Sequence, residues 1–312
     1  MSNIEQWTQE AKITKEQAGT KVAQFVENSI FLLHAQGIDS GKVFDAGAGL
    51  GRNSIFLAEN GFQVVAIEVD GEQNSTLAKR IADKGLSNIN LVKEYAQNAI
   101  REIHNDDLSA CIDYGTSSYM SSKERKAYGV EITRTLRVGG LVVLHFADDP
   151  LSKEQKIPNY ASNFLDLNDF EVLLKDSEKG LNGKIRYTLV LRKMGQHLLP
   201  VSEVVSKAMD LMASKIEENT RKMLEDFWDQ NLGLIQARDA ILLKGKILEF
   251  AKLHNTKISE NTQLVIEQIL KIISGHIYLT KEIFLEESLK LFNVQSVASE
   301  RMLHAYNQDI FA

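Results

Sequence analysis

Short apolar runs alternate with amphipathic stretches over the first two-thirds of the chain, and glycine-rich turns separate them. This grammar predicts an α/β fold built on a parallel sheet. A helical stretch over about 15–36 precedes a strand at Lys42–Asp45. A second strand covers Gln63–Glu68, a helix runs from about Gln73 to Lys84, and a short strand lies near Asn90–Val92. Leu108–Asp113 reads as a fourth strand, Lys123–Leu136 as a helix, and Val138-Gly139-Gly140 as a turn. The run Leu141–Phe146 is apolar throughout, as a strand buried on both faces requires. Phe170–Leu174 and Ile185–Leu191 then read as two strands joined by the Lys179–Gly183 loop, a hairpin.

After residue 195 the pattern changes. Only three of the nineteen glycines, Gly233, Gly245 and Gly275, follow Pro200, which is the last proline, so the turn punctuation stops there. Apolar positions recur at Val201, Val204, Ala208, Met212, Ile216, Leu224 and Phe227, one face of a 3.6-residue helix. Further helices are expected over 236–253, 260–274, 279–292 and 295–306. The expected division is 1–195 as an α/β domain and 196–312 as an all-α helical bundle. The Met209, Met212 and Met223 stripe reads as core.

The richest segment is Val43-Phe44-Asp45-Ala46-Gly47-Ala48-Gly49-Leu50-Gly51-Arg52-Asn53. An apolar strand ends in an acid, a glycine turn follows, and a helix opens. Glycine has no Cβ and tolerates positive φ, so such a backbone can lie against a ligand. The helix behind it aims free N–H groups at the turn. The strand Gln63–Ile67 ends beside Glu68, and an acid at the tip of the second strand is placed to hold a ribose diol. Together these features describe a nucleoside site.

The spacing separates two cofactors. A dinucleotide turn reads G-x-G-x-x-G, whereas Asp45 to Gly51 reads D-x-G-x-G-x-G. That form resembles motif I of the class I S-adenosylmethionine-dependent methyltransferases. With Arg52-Asn53-Ser54 and Asn60-Gly61-Phe62 before the second strand, residues 40–193 are most similar to the tellurite-resistance type. The resemblance implies a Rossmann-like, seven-stranded methyltransferase sheet and S-adenosyl-L-methionine as cofactor. It implies that Asp45, Gly47 and Gly49 line the methionine part, with Arg52 and Asn53 opening the helix beside it. Glu68 would bind the ribose. Ala48 replaces the cysteine common in that turn, and glutamate replaces aspartate at position 68. The bundle lies outside the resemblance.

Ligands of an open parallel sheet bind beyond the carboxyl ends of the strands. Glu94 and Tyr95 would flank the adenine by position; which of the two points inward is not legible, because a slip of one residue reverses the face. Asp113, Tyr114 and Gly115 follow the fourth strand, and Ala147, Asp148 and Asp149 the fifth, near the transferred methyl. Asp113 and Tyr114 are the candidate catalytic residues. Asp113 would orient the acceptor or take its proton; the alternatives are a cap on the next helix or a contact to the cofactor's amino group. Trp7, Tyr119, Tyr128 and Tyr160 are candidate pocket walls, Trp7 as part of a lid. His145, on an apolar strand, reads as a core histidine.

Composition changes this picture only by exclusion. The 312 residues are 44% hydrophobic and 25% charged, as in ordinary globular proteins. A net charge of −6 without a basic block disfavours a nucleic-acid partner. Cys111 is the single cysteine, so neither a disulfide within the chain nor a cysteine-rich zinc site is expected. His197, His254, His276 and His304 form no Glu-x-x-His pair in the bundle, and Glu300 with His304 is isolated; no metal is expected. The start has no basic and apolar signal segment, and no run reaches membrane-spanning length, so a cytoplasmic protein is expected. The expected activity is methyl transfer to a small molecule, with the bundle covering the substrate or forming a homodimer. A protein or RNA methyltransferase, and a non-catalytic S-adenosylmethionine-binding protein, are the alternatives.

Overall fold

The computed structural model describes residues 21–148, 158–179, 185–237, 240–253, 262–276 and 279–291. Trp7, Asp149, the loop at 180–183, His254, Glu300, His304 and the helix expected over 295–306 lie outside the described residues, as does the first part of the expected N-terminal helix. Among the described residues, no helix is long and apolar enough to cross a membrane.

In chain order the α/β part runs α1 (Gln24–His34), β1 (Lys42–Ala46), α2 (Arg52–Glu59), β2 (Gln63–Ile67), α3 (Gly71–Asp83) and β3 (Ile89–Val92). It continues with α4 (Ala96–Ala99), β4 (Leu108–Tyr114), α5 (Ser122–Thr135), β5 (Leu136–Asp148), α6 (Asn159–Phe164), β6 (Phe170–Lys179) and β7 (Ile185–Lys193). The seven strands form one sheet in the order β3-β2-β1-β4-β5-β7-β6. Strands β1 to β5 pair in parallel, while β7 runs antiparallel to both β5 and β6. This is the Rossmann-like methyltransferase sheet, closed by a hairpin.

Burial explains why these segments are strands. Phe44, Cys111, Val142, Leu144, Leu189 and Leu191 bury one face with Tyr128 and Ile132 of α5. Val43, Ile112, Val143 and Val190, at the alternate positions, are also fully buried. Strands covered on both faces need apolar side chains at consecutive positions, which is the pattern read in the sequence. The capping box of Ser121 and Glu124 starts α5. Gly129 lets that helix meet the chain at α6, where an added Cβ would lie 1.9 Å from the Phe164 carbonyl oxygen.

Two details depart from the sequence reading. Val138-Gly139-Gly140, expected as a turn before the strand, lies inside β5. Leu136 pairs with Leu108 and Leu141 with Ala110, so the intervening residues bulge out of register. Gly139 takes φ +78° there. The hairpin strands run to Lys179 and Lys193, beyond their expected ends. Their polar positions gave no apolar signal; pairing with β5 and with each other extends them.

The helical part comprises α7 (Val201–Ala237), α8 (Ala240–Leu253), α9 (Thr262–Gly275) and α10 (Lys281–Lys290). The chain divides into two compact units at Ala208/Met209. The helical unit has its own core, in which Phe227 and Trp228 of α7 meet Phe284 of α10. Leu243, Ile269 and Ile273 complete it from α8 and α9. Helix α7 is interrupted at Asn231, whose φ of −121° is non-helical and whose amide donates to the Phe227 carbonyl.

Candidate functional site

The strand order reverses beside β1, which has β2 on one side and β4 on the other. The crossovers that follow β1 and β4 therefore leave toward opposite edges of the sheet, and a cleft opens at the carboxyl ends. A cavity of about 870 Å³ lies at that position. Gly47 lines it from the glycine turn, Ile67 and Glu68 from the end of β2, and Glu94 and Tyr95 from beyond β3. Tyr114, Gly115, Thr116 and Tyr119 wall it beyond β4, and Lys123 and Glu124 from the start of α5.

The glycine turn is required by packing. Gly47, Gly49 and Gly51 have φ of +65°, +59° and +79°. A Cβ on Gly47 would lie 2.0 Å from Thr116 Oγ1, and one on Gly51 2.0 Å from Leu77 Cδ1. The first contact brings the β1 and β4 loops together, where the Thr116 hydroxyl donates to the Ala46 carbonyl at 2.8 Å. The second seats α3 against α2.

Glu68 is 2% exposed, and its carboxylate is tied to backbone on both sides. Oε2 accepts the Gly49 N–H at 2.8 Å and Oε1 accepts the Asp70 N–H at 2.8 Å. Burial pushes its pKa up, against the pull of these bonds. This latch bears on the choice of cofactor. A dinucleotide turn keeps its N–H groups for a pyrophosphate, but here the Gly49 N–H is given to a carboxylate, whose charge repels phosphate. Beyond these bonds and a further one from the Val69 backbone N–H, the acceptor capacity left on the Glu68 oxygens is open to hydroxyl donors. The cradle fits a ribose diol.

The other sequence candidates fall into two groups. Gly47, Glu68, Glu94, Tyr95 and Tyr114 meet at the cavity, and both Glu94 and Tyr95 reach its wall. Glu94 Oε1 accepts the Tyr95 N–H at 2.7 Å and the Asn98 side-chain amide at 3.2 Å. Asp45, Gly49, Arg52, Asn53 and Asp113 are not among the residues that line the cavity. Asp45 is buried and accepts the Ser54 hydroxyl; burial raises its pKa to about 6. Asn53 accepts the Ala23 N–H, fixing the approach to α1. The Arg52 guanidinium lies over the Tyr114 ring, 5.4 Å from its centroid.

Asp113 is fully buried at the end of β4. Its two oxygens accept the Ser117 N–H at 3.0 and 3.2 Å, with further backbone bonds from Thr116 and Gly115. Burial raises its pKa to about 6 despite those bonds. Among the candidate aromatics, Tyr119 lines the cavity. Tyr128 is in the core beside Cys111. Tyr160 stacks on Phe146 and donates to Ser117 Oγ at 2.8 Å. His145 stacks on Tyr114 and has Thr188 Oγ1 2.9 Å from Nδ1. Asp148 accepts the Tyr160 N–H at 2.8 Å. The sequence does not mark Thr116, because its partner Gly47 is distant in the chain and nothing local signals the contact. Among the described residues there is no group of three metal-ligating side chains.

Residues 43–140 match the family model Methyltransf_25, described as a methyltransferase domain. No curated protein matches the chain. Among solved structures, TehB from Haemophilus influenzae has 18% identity and a TM-score of 0.45, the match covering 59% of this chain and 66% of that one. The [4+2]-cyclase SpnF has 16% identity and a TM-score of 0.44, over 54% and 80%. An rRNA methylase from Streptococcus thermophilus has 20% identity and a TM-score of 0.42, over 54% and 95%.

Proposed function

We propose that this chain, which carries a class I S-adenosylmethionine-dependent methyltransferase domain, methylates a small molecule held in the cavity at the carboxyl ends of β1, β2 and β4. The observation that carries the reading is the Glu68 latch on Gly49 beside the open Gly47 cradle. Glu68 would hold the ribose hydroxyls, and the Glu94–Asn98 segment the adenine. Arg52, 5.4 Å from the Tyr114 ring, would face the methionine end. Bound S-adenosylmethionine supplies an activated methyl group on a cationic sulfur that becomes neutral on transfer. The protein's task is then to align the acceptor atom and exclude water. Asp113, with its oxygens spent on backbone N–H groups, is assigned to shaping the Gly115–Ser117 turn. Tyr114 is assigned to the acceptor side.

Two features support a small acceptor. The cavity of about 870 Å³ falls in the range of roughly 300–1,000 Å³ typical of small-molecule sites. Its wall carries Glu68, Glu94 and Glu124 against Arg101 and Lys123, so it lacks the positive excess that a nucleic-acid backbone requires. Calorimetric titration with S-adenosylhomocysteine, with NAD as control, tests the cofactor. Micromolar binding of the first alone is expected, followed by product release with a small acceptor. Binding of NAD alone, or of neither, would overturn the reading. Methyl incorporation into RNA or protein, with small acceptors inert, would overturn the acceptor class.

A further inference from the structure

Gly115, Thr116, Tyr119 and Met120 wall the cavity beyond β4, and all four belong to one short segment. Thr116–Tyr119 is a single 3₁₀ turn, entered through Gly115 at φ +103°. Hydrogen bonds in a 3₁₀ turn have poor geometry, and one turn alone does not offset the cost of fixing its dihedrals. The shape of this wall therefore depends on what grips the turn. Asp113 holds it from the N–H side, at Ser117. Arg125 of α5 and Tyr160 of α6 hold it from the other side.

The Arg125 Nε–H donates to the Ser117 carbonyl at 3.1 Å, and Nη2 donates to the Met120 carbonyl at 3.0 Å. A carboxylate thus lies at the N–H end of the turn and a guanidinium at its carbonyl end, as the peptide dipoles favour. The guanidinium also lies over the Tyr160 ring, 4.2 Å from its centroid. The Tyr160 hydroxyl donates to Ser117 Oγ at 2.8 Å. Burial raises the Tyr160 pKa, so the phenol keeps that proton. Tyr160 is itself fixed by its stack on Phe146 and by Asp148, which accepts its N–H at the end of β5. Ser117 is 1% exposed, and its N–H, carbonyl and hydroxyl are held by Asp113, Arg125 and Tyr160 in turn. Arg125 and Tyr160 do not line the cofactor cavity. Helix α5 turns Lys123, Glu124 and Ala127 to that cavity, and Arg125, Lys126 and Gly129 to a second one of about 1020 Å³.

We propose that Arg125 and Tyr160 are positioning residues for methyl transfer, acting through Ser117 to set the wall of the cofactor cavity. The proposal rests on the methyltransferase reading of that cavity. Through Tyr160 the clamp ties the end of β5 to the turn after β4, the two strand ends expected beside the transferred methyl. Through Thr116, whose hydroxyl donates to the Ala46 carbonyl, the same turn closes on the Gly47 cradle. Releasing the turn therefore disturbs the cofactor and acceptor sides together, and a misplacement of about 1 Å can cost about a hundredfold in rate.

The test uses the full chain with S-adenosylhomocysteine as the probe. Arg125→Lys keeps the charge, but a single ammonium cannot hold two carbonyls as the planar fork does. Tyr160→Phe keeps the ring contacts and removes only the bond to Ser117. Calorimetry well below the melting range should show affinity weakened about tenfold by the first and about threefold by the second, the scale of single lost hydrogen bonds. The double variant should lose about tenfold, because both changes release the same turn. Backbone hydrogen exchange should rise at residues 115–120 and stay unchanged in β1 and β4, and saturating S-adenosylhomocysteine should restore the protection. Lys126→Ala, beside Arg125 on the second cavity, should bind as the wild type does.

Residues that merely stabilise the fold would lower Tm and raise exchange across the sheet, with the affinity of the folded chain unchanged; that result overturns the proposal. Affinity and exchange equal to the wild type in both single variants overturn it too. A loss of about thirtyfold in the double variant would make the two residues independent and overturn the clamp. A loss in Lys126→Ala equal to that in Arg125→Lys would assign the effect to the α5 surface and not to the turn. Failure of the wild type to bind S-adenosylhomocysteine would instead overturn the methyltransferase reading, and exchange at 115–120 would then decide whether the clamp holds the turn.

Discussion

Replacing Glu68 with alanine removes the carboxylate that joins the end of β2 to the glycine turn. A hydrogen bond to a charged acceptor contributes about 1.5–3 kcal/mol. Two such bonds to ribose hydroxyls are therefore worth about 3 kcal/mol at the lower end, or a loss of roughly a hundredfold in affinity. The substitution also orphans the Gly49 and Asp70 N–H groups, which bond to this carboxylate at 2.8 Å each. Glu68 lines the cavity, so water entering in place of its carboxylate can reach both groups, and the expected stability loss is smaller, about 1 kcal/mol. Removing a buried charge, visible in the raised pKa of Glu68, offsets part of it. Calorimetric titration with S-adenosylhomocysteine reads the affinity, and a thermal melt reads the stability. Glu68→Gln keeps one acceptor oxygen and should fall between wild type and alanine. The raised pKa adds a pH dependence: only the carboxylate accepts both hydroxyls, so affinity should fall as pH drops through that pKa. Affinity of Glu68→Ala within threefold of wild type would refute the ribose assignment and the geometry argued from it.

Four further outcomes follow from the geometry. Gly47→Ala forces a left-handed φ on an L-residue, about 1–2 kcal/mol, and pushes Thr116 off its bond to Ala46; a lower Tm together with lost S-adenosylhomocysteine binding is expected, and a variant that binds normally would show that the cradle is not used. Gly129→Ala meets the Phe164 carbonyl and should cost about 2 kcal/mol in a denaturant melt while leaving cofactor affinity intact; an unchanged melting midpoint would refute the close approach of α5 and α6. Burial raises the Asp113 pKa to about 6, so the folded chain holds that proton more tightly than the unfolded chain, and its ionisation costs stability as pH rises from about 4 to about 6; Asp113→Asn should show a smaller fall in Tm across that window, and an identical slope would refute the shift. A fragment of residues 1–208 should melt cooperatively, whereas 1–195 should be less stable by about 1–3 kcal/mol, because it removes the Leu199 carbonyl that accepts from buried Arg192 and the buried Val204, Val205 and Ala208; equal stability of the two fragments would place the boundary at 195.

The strands of the sheet and the nucleoside turn were legible in the sequence because their causes are local. Continuous apolar runs such as Leu141–Phe146 have one stable use in a soluble α/β domain, burial on both faces. The positive φ demanded at Gly47, Gly49 and Gly51 is written in the residue type itself. Glu68 is legible because the apolar run of the second strand ends there. What tertiary structure decided is which side chains meet. Nothing near Thr116 reveals that it closes on Gly47, and nothing near Gly49 reveals that its N–H goes to Glu68. The same holds for the β5 bulge, which exists because Leu136 and Leu141 pair with β4 residues only two apart. His145 read as core because an apolar run surrounds it; only the register of β4, β5 and β7 sets it between Tyr114 and Thr188. Local propensity and periodicity are properties of a few consecutive residues. A site assembled from strand ends depends on contacts between residues far apart in the chain, and these exist only once the sheet has fixed its order and register.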